Sequence, residues 1–230
     1  MPEVSHEKQC KECTLDCVFS SVHAKELSGF QNYKREIIFR KGETLVKQGS
    51  IQSTILFINE GFVKHTIEGY HNKDVIIRLS GKNEYIGLNL LSWKNESLYT
   101  TEALKKTRVC MIESSYFRKL YTNYPVLFLR LFTNFSEELD YLYERLKIIG
   151  TRNMQGKLAS ALLYLSDYGQ KQEDIYSHIT RKDLAELSGM SVESMVRMLN
   201  EFKHEKLIQI KGKNILLNNP DMVRILCRVG

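Results

Sequence analysis

Two sets of side chains in this sequence have types and spacings that could do chemistry. Cys10, Cys13 and Cys17 fall in one N-terminal run, and Cys110 lies far downstream in an apolar stretch. Four thiolates are the ligand set that a structural zinc ion or an iron–sulfur cluster requires. The same residues can also be loose surface thiols and one buried strand residue, because free cysteine packs as a small hydrophobe. Cys227, near a carboxyl end expected to fray, is read as incidental. The second set is Val192, Glu193, Val196 and Arg197, preceded by Ser191. One helical turn separates the glutamate from the arginine. In a DNA groove, such an arginine can donate two hydrogen bonds to guanine O6 and N7, and the glutamate can accept from cytosine N4. In solvent, the two form an i, i+4 ion pair that steadies a helix by about 0.2–0.5 kcal/mol.

The elements around Glu193 and Arg197 decide between these readings. Thr180 can cap a helix, with Asp183 placed as in a near capping box. Leu184, Ala185 and Leu187 give that helix an inner face, and Gly189 suits a tight turn. Ser191 can cap a second helix, whose Met195, Met198, Leu199 and Phe202 form one buried stripe. The small Ala185 lets the two helices cross closely, as a helix-turn-helix requires. Beyond them, Leu207–Ile210 and Asn214–Leu217 read as two strands joined by Lys211-Gly212-Lys213. Lysines at a hairpin tip are usually only solvated. Beside a recognition helix, Lys211 and Lys213 can neutralise phosphates without regard to sequence.

Upstream, from Tyr33 to about Glu113, short β-rich runs alternate with glycine turns. Ile37–Phe39, Thr44–Val46, Ile55–Ile58, Phe62–Ile67, Val75–Ile77 and Val109–Ile112 are the clearest, and their spacing suggests an antiparallel sandwich or barrel. A short helix is expected over Tyr116–Tyr121. Pro125 then suits the first turn of a long helix. Phe128, Leu131, Phe135, Leu139, Leu142, Leu146 and Ile149 lay an apolar seam along it, with Glu137, Glu138, Asp140, Glu144, Arg145 and Lys147 off the seam. So long and narrow a stripe predicts pairing with a second copy of the chain, against the alternative of packing on its own domain. A fresh amphipathic helix follows over Thr151–Tyr168. The expected boundary lies near Gly150, giving residues 1–149 with a dimerising helix at about 124–149, and residues 150–230.

The chain has 230 residues, 43% hydrophobic and 26% charged, with a formal charge of +6. That composition fits a globular protein and allows nucleic-acid binding without requiring it. No signal peptide or membrane-spanning run is evident, so a reducing cytoplasm is expected. No Gly-x-Ser-x-Gly, P-loop, dinucleotide or His-Glu-x-x-His pattern points to an enzyme. The six histidines show no metal spacing, and Trp93 reads as a packing residue.

The segment Ile179-Thr180-Arg181-Lys182-Asp183-Leu184 through Gly189-Met190-Ser191-Val192-Glu193-Ser194-Met195-Val196-Arg197 resembles the CRP/FNR family of transcription regulators. Phe39-Arg40-Lys41-Gly42-Glu43, Gln48-Gly49 and Asn59-Glu60-Gly61-Phe62-Val63-Lys64 extend the resemblance over nearly the whole chain. It implies an α+β protein: an N-terminal cyclic-nucleotide-binding-type β-roll, a long dimerisation helix and a C-terminal winged helix-turn-helix. It also implies a homodimer on palindromic double-stranded DNA, with RNA polymerase as a further partner. Val192, Glu193 and Arg197 resemble the FNR branch, although Val196 stands where that branch usually has serine.

The resemblance carries two signals with it. Cyclic AMP would need an acid after Gly87 and an arginine in the following segment. The chain instead has Leu88, and Glu96-Ser97-Leu98-Tyr99-Thr100-Thr101, so a cyclic phosphate would lack its charged partner. An FNR-type [4Fe–4S] cluster, whose loss in oxygen ends dimerisation, would use Cys10, Cys13, Cys17 and Cys110. Here the third cysteine follows a shorter gap than is usual in that branch, and zinc or no metal remain open.

Overall fold

The computed structural model describes residues 3–4, 17, 34–92, 95–171 and 175–230. Its strands are β1 (Glu3–Val4), β2 (Lys34–Phe39), β3 (Thr44–Val46), β4 (Thr54–Glu60), β5 (Phe62–Ile67), β6 (Val75–Gly81), β7 (Tyr85–Ile86), β8 (Thr100–Ala103) and β9 (Thr107–Glu113). They form a five-stranded sheet in the order β1-β2-β9-β4-β7 and a four-stranded sheet in the order β3-β8-β5-β6. The helices α1 (Ser114–Asn123), α2 (Pro125–Thr151) and α3 (Met154–Lys171) follow. Next come α4 (Arg181–Ser188), α5 (Val192–His204), a hairpin of β10 (Ile208–Lys211) and β11 (Asn214–Leu217), and α6 (Pro220–Val229).

Period-two alternation explains the two cores of the strand-rich part, because successive strand residues face opposite sides. In β4, Leu56 and Ile58 join Phe39, Val46, Val63, Ile86, Ala103 and Val109 in one apolar cluster. Ile55 and Phe57 face the other way, into a cluster completed by Phe117, Leu127 and Leu131 of the helices. Strand β9 repeats the rule: Val109 joins the first cluster, and Cys110 and Ile112 the second. The position of Cys110 within its strand therefore sends its thiol toward α1 and α2.

The chain divides into two compact units. One comprises Met1–Ile67 and Leu79–Asp140, the other Glu68–Arg78 and Tyr141–Gly230. The division falls inside α2, which runs on through Gly150 to Thr151. Arg145, which the sequence places off the apolar seam, is buried, at 5% exposure. Its guanidinium donates to the Ile76 carbonyl at 3.2 Å and to the Leu187 carbonyl at 2.5 Å. The expected frayed terminus is instead α6, which Asn219 caps by accepting from the Met222 N–H and which Pro220 starts. A further refinement concerns the seam. Leu131 is buried among the β-strand side chains of its own unit, while Val126, Phe128, Leu129, Phe132, Tyr143 and Leu146 are exposed in the single chain.

Candidate nucleic-acid interface

Helix α4 begins with a reciprocal cap. The Asp183 N–H donates to the Thr180 hydroxyl at 3.1 Å, and the Thr180 N–H donates to the Asp183 carboxylate at 2.8 Å. Two orphan donors of the first turn are thereby satisfied. The helix ends at Gly189, whose φ of 64° is left-handed. A side chain there would be strained, and its Cβ would sit 3.3 Å from Ile149 Cγ1. Glycine is the residue that permits this turn. Ser191 then caps α5, its hydroxyl accepting from the Ser194 N–H at 3.2 Å.

Helix α5 is divided cleanly between two faces. Met195, Met198, Leu199 and Phe202 are buried. Ser191, Glu193 and Arg197 are exposed, as are Val192 at 39% and Val196 at 40%. The structure thus gathers all five sequence-predicted residues at the N-terminal end of one helix. Among the described residues, no ion pair joins Glu193 to Arg197. The arginine instead donates Nη2 to the Met154 thioether at 3.8 Å. The Glu193 carboxyl is held below its usual range by its own backbone N–H, and by the Ser191 hydroxyl. It therefore stays an ionised acceptor. Lys211 and Lys213 are exposed at the β10–β11 turn, where Gly212 takes a φ of 61°.

Two features of the structure escaped sequence reasoning. The first turn of α3 is fastened to α5 twice, by Met154 on Arg197 and by Gln155 Nε2 donating to the Glu201 carboxylate at 2.7 Å. No local spacing announces these contacts, whose partners stand 43 and 46 positions apart. In the other unit, His65 is 1% exposed, with Nδ1 at 2.9 Å from the Thr101 hydroxyl and Nε2 at 2.8 Å from that of Ser80. Its ring meets Tyr99 edge-on at 4.8 Å. No spacing announces that a histidine flanked by Lys64 and Thr66 will be buried between two hydroxyls from other strands.

The expected metal ligands are only partly in view. Cys10 and Cys13 lie outside the described residues, as does Trp93. Cys110 is buried and packs in the same apolar cluster that Cys17 abuts. Asn59 Nδ2 donates to the Cys110 sulfur at 3.1 Å, and Cys17 Sγ lies 3.5 Å from the Tyr85 hydroxyl. Among the described residues, no three His, Cys, Asp or Glu side chains gather as a metal site. Two thiols near one cluster supply half of a four-thiolate set. Where cyclic nucleotide would bind, Gly87 is left-handed at φ 86° and is followed by the buried Leu88.

Comparison with known proteins matches both units. Residues 36–124 match the model of the cyclic nucleotide-binding domain, and residues 156–224 that of the Crp-like helix-turn-helix domain. The chain belongs to the CRP/FNR family. CRP/FNR relatives share its sequence at modest identity. The cAMP-activated global transcriptional regulator CRP of Salmonella typhimurium is 27% identical over 182 residues, covering 76% of this chain and 85% of its own length. The fumarate and nitrate reduction regulatory protein of Salmonella typhi is 24% identical over 226 residues, covering 94% and 89%. A solved crp/fnr-family structure from Eubacterium rectale has the same fold, with a TM-score of 0.75 at 14% identity, covering 92% of this chain and 97% of its own. The CRP/FNR architecture of β-rich domain, long helix and helix-turn-helix is the one described above, and the chain is a transcription regulator of the DNA-binding helix-turn-helix type. No helix among the described residues is long and apolar enough to cross a membrane.

Proposed function

We propose that this regulator is a homodimer that reads a palindromic operator, with residues 150–230 as the reader and residues 1–149 as the sensor. One observation carries the reading: α5 buries one face and leaves Glu193 and Arg197 exposed and not paired with each other at its N-terminal end. That is the end of a recognition helix that meets base edges. Arg197 donates to guanine, Glu193 accepts from cytosine, and Val192 and Val196 make apolar contacts, on methyl groups of thymine for instance. Ser191, Lys211 and Lys213 contact phosphates and set position rather than sequence. The exposed apolar side chains of α2, Val126, Phe128, Leu129 and Phe132, are covered by the second copy. RNA polymerase is the expected protein partner, the site of action is the cytoplasm, and no catalysis is assigned.

The test is Arg197→Ala in the full chain, measured by anisotropy on a duplex that the wild-type protein selects from a randomised pool. Preference over a scrambled duplex is lost, leaving weak, salt-sensitive binding. Unchanged affinity for the selected site refutes the role given to Arg197.

For the signal, Leu88 and the lack of arginine in residues 96–101 weigh against cyclic AMP, although the related Salmonella typhimurium protein is named for its activation by it. A second reading rests on Cys17 and Cys110 abutting one apolar cluster. With Cys10 and Cys13 they would hold a [4Fe–4S] cluster or a zinc ion, and a bound cluster would supply oxygen-sensitive redox chemistry. Anaerobic purification with iron, sulfide and zinc analysis decides it. A colourless, metal-free protein that still binds its selected duplex removes this reading and leaves an unidentified small molecule as the signal.

A further inference from the structure

Met154 is exposed, at 40% for the residue, and its sulfur lies 3.8 Å from Nη2 of Arg197. It is placed there by its surroundings. Asn153 accepts from the Gly156 N–H at 3.0 Å and so caps the first turn of α3. The next residue, Gln155, is bonded to Glu201 at 2.7 Å. Adjacent residues of α3 therefore touch two residues of α5 that stand one turn apart. The methionine is held against the arginine rather than meeting it by chance.

From this geometry we infer that Met154 is an oxidation site that controls whether Arg197 is available to DNA. The inference rests on the base-reading role proposed for Arg197. A thioether is a weak acceptor, so the guanidinium leaves it readily for guanine O6 and N7. Attack of the sulfur lone pair on hydrogen peroxide forms an S–O bond and breaks the O–O bond. The sulfur is oxidised by two electrons, the peroxide is reduced, and the second oxygen leaves as water after proton transfer. The product sulfoxide is polar, and reductases specific to it can restore the thioether. Its oxygen is a strong acceptor at hydrogen-bonding reach of Nη2, and a hydrogen bond to a charged donor is among the stronger ones a protein makes. Oxidised Met154 therefore withholds Arg197 from the groove. Phosphate contacts through Lys211 and Lys213 are untouched, so sequence preference falls while non-specific binding persists.

The experiment uses the full-length protein, hydrogen peroxide, and two duplexes at fixed salt: the selected one and a version with its guanine–cytosine contacts exchanged. Peptide mass mapping follows oxidation at each methionine. Peroxide lowers the wild-type preference between the duplexes by about tenfold, equivalent to ~1.4 kcal/mol. Met154→Leu shows the same preference before and after peroxide, and Met154→Gln, which carries an amide oxygen in place of the sulfoxide, shows a reduced preference without peroxide. Arg197→Ala shows no further loss on oxidation. A Met154 that resists peroxide, or a Met154→Leu protein that loses preference as the wild type does, overturns the proposal. An Arg197→Ala protein that keeps full preference overturns the underlying base-reading role instead, so the two failures are told apart.

Discussion

Arg145 allows a stability prediction to be worked from opposing terms. Its guanidinium is buried, flanked by Tyr141 and Tyr164, and its pKa is lowered, chiefly by desolvation. Arginine nevertheless remains charged in proteins. Replacing it with methionine, of similar length and apolar, removes a buried cation and recovers the desolvation cost. The same change orphans two carbonyls. Hydrogen bonds to charged groups contribute ~1.5–3 kcal/mol each. One of these acceptors, Leu187, lies in the last turn of α4, where the helix dipole adds up to ~2 kcal/mol for a partly buried cation. The Leu187 carbonyl has no successor turn to bond it, so the lost bonds outweigh the recovered desolvation. Arg145→Met should destabilise the protein by about 2–4 kcal/mol. Urea unfolding of the full chain, followed by circular dichroism at matched protein concentration, measures this. Hydrogen exchange should speed up in α4 while β4 and β9 keep their protection. A variant as stable as wild type, or more so, refutes the argument and shows that desolvation dominates, as it does in some buried ion pairs.

Other perturbations have equally definite outcomes. Gly189→Ala places a Cβ at a left-handed φ and 3.3 Å from Ile149 Cγ1, and costs about 1–2 kcal/mol by thermal unfolding. Thr180→Ala removes one partner of the reciprocal cap and costs ~1 kcal/mol, read in the same experiment. Replacing both Lys211 and Lys213 with alanine lowers affinity for the selected and scrambled duplexes alike, and reduces the log–log salt slope by about two. The Glu193 carboxyl titrates below its ordinary value, so it stays charged as pH falls into the usual carboxylate range, and base preference persists there. Ser191→Ala removes a donor to it, and preference measured across an acid titration should then be lost at a higher pH than in wild type.

The elements that position the interface were legible because local rules agreed with one another. Thr180, Asp183, Gly189 and Ser191 each sit where a cap or turn demands their chemistry, and the stripe of Met195, Met198, Leu199 and Phe202 has helical period. The strands were legible where apolar residues clustered. Strands β7 and β8 were not, since the first has only two residues and the second, Thr-Thr-Glu-Ala, has no apolar cluster. The burial of Arg145 was not legible because periodicity records hydrophobicity and cannot anticipate two carbonyls converging on one guanidinium. Met154 was invisible for a related reason. It stands 43 positions from Arg197, and such a contact is created by packing and not by spacing.

The chain passes between its two units three times, at Ile67–Glu68, Arg78–Leu79 and Asp140–Tyr141. A single proteolytic nick in α2 would therefore yield two polypeptides without yielding two intact modules. The piece starting at Tyr141 leaves behind Glu68–Arg78, and with it the Ile76 oxygen that Arg145 uses. Cutting at that peptide bond produces a fragment whose arginine lacks one of its two carbonyl partners, so fragment complementation, not simple truncation, is the dissection this connectivity permits.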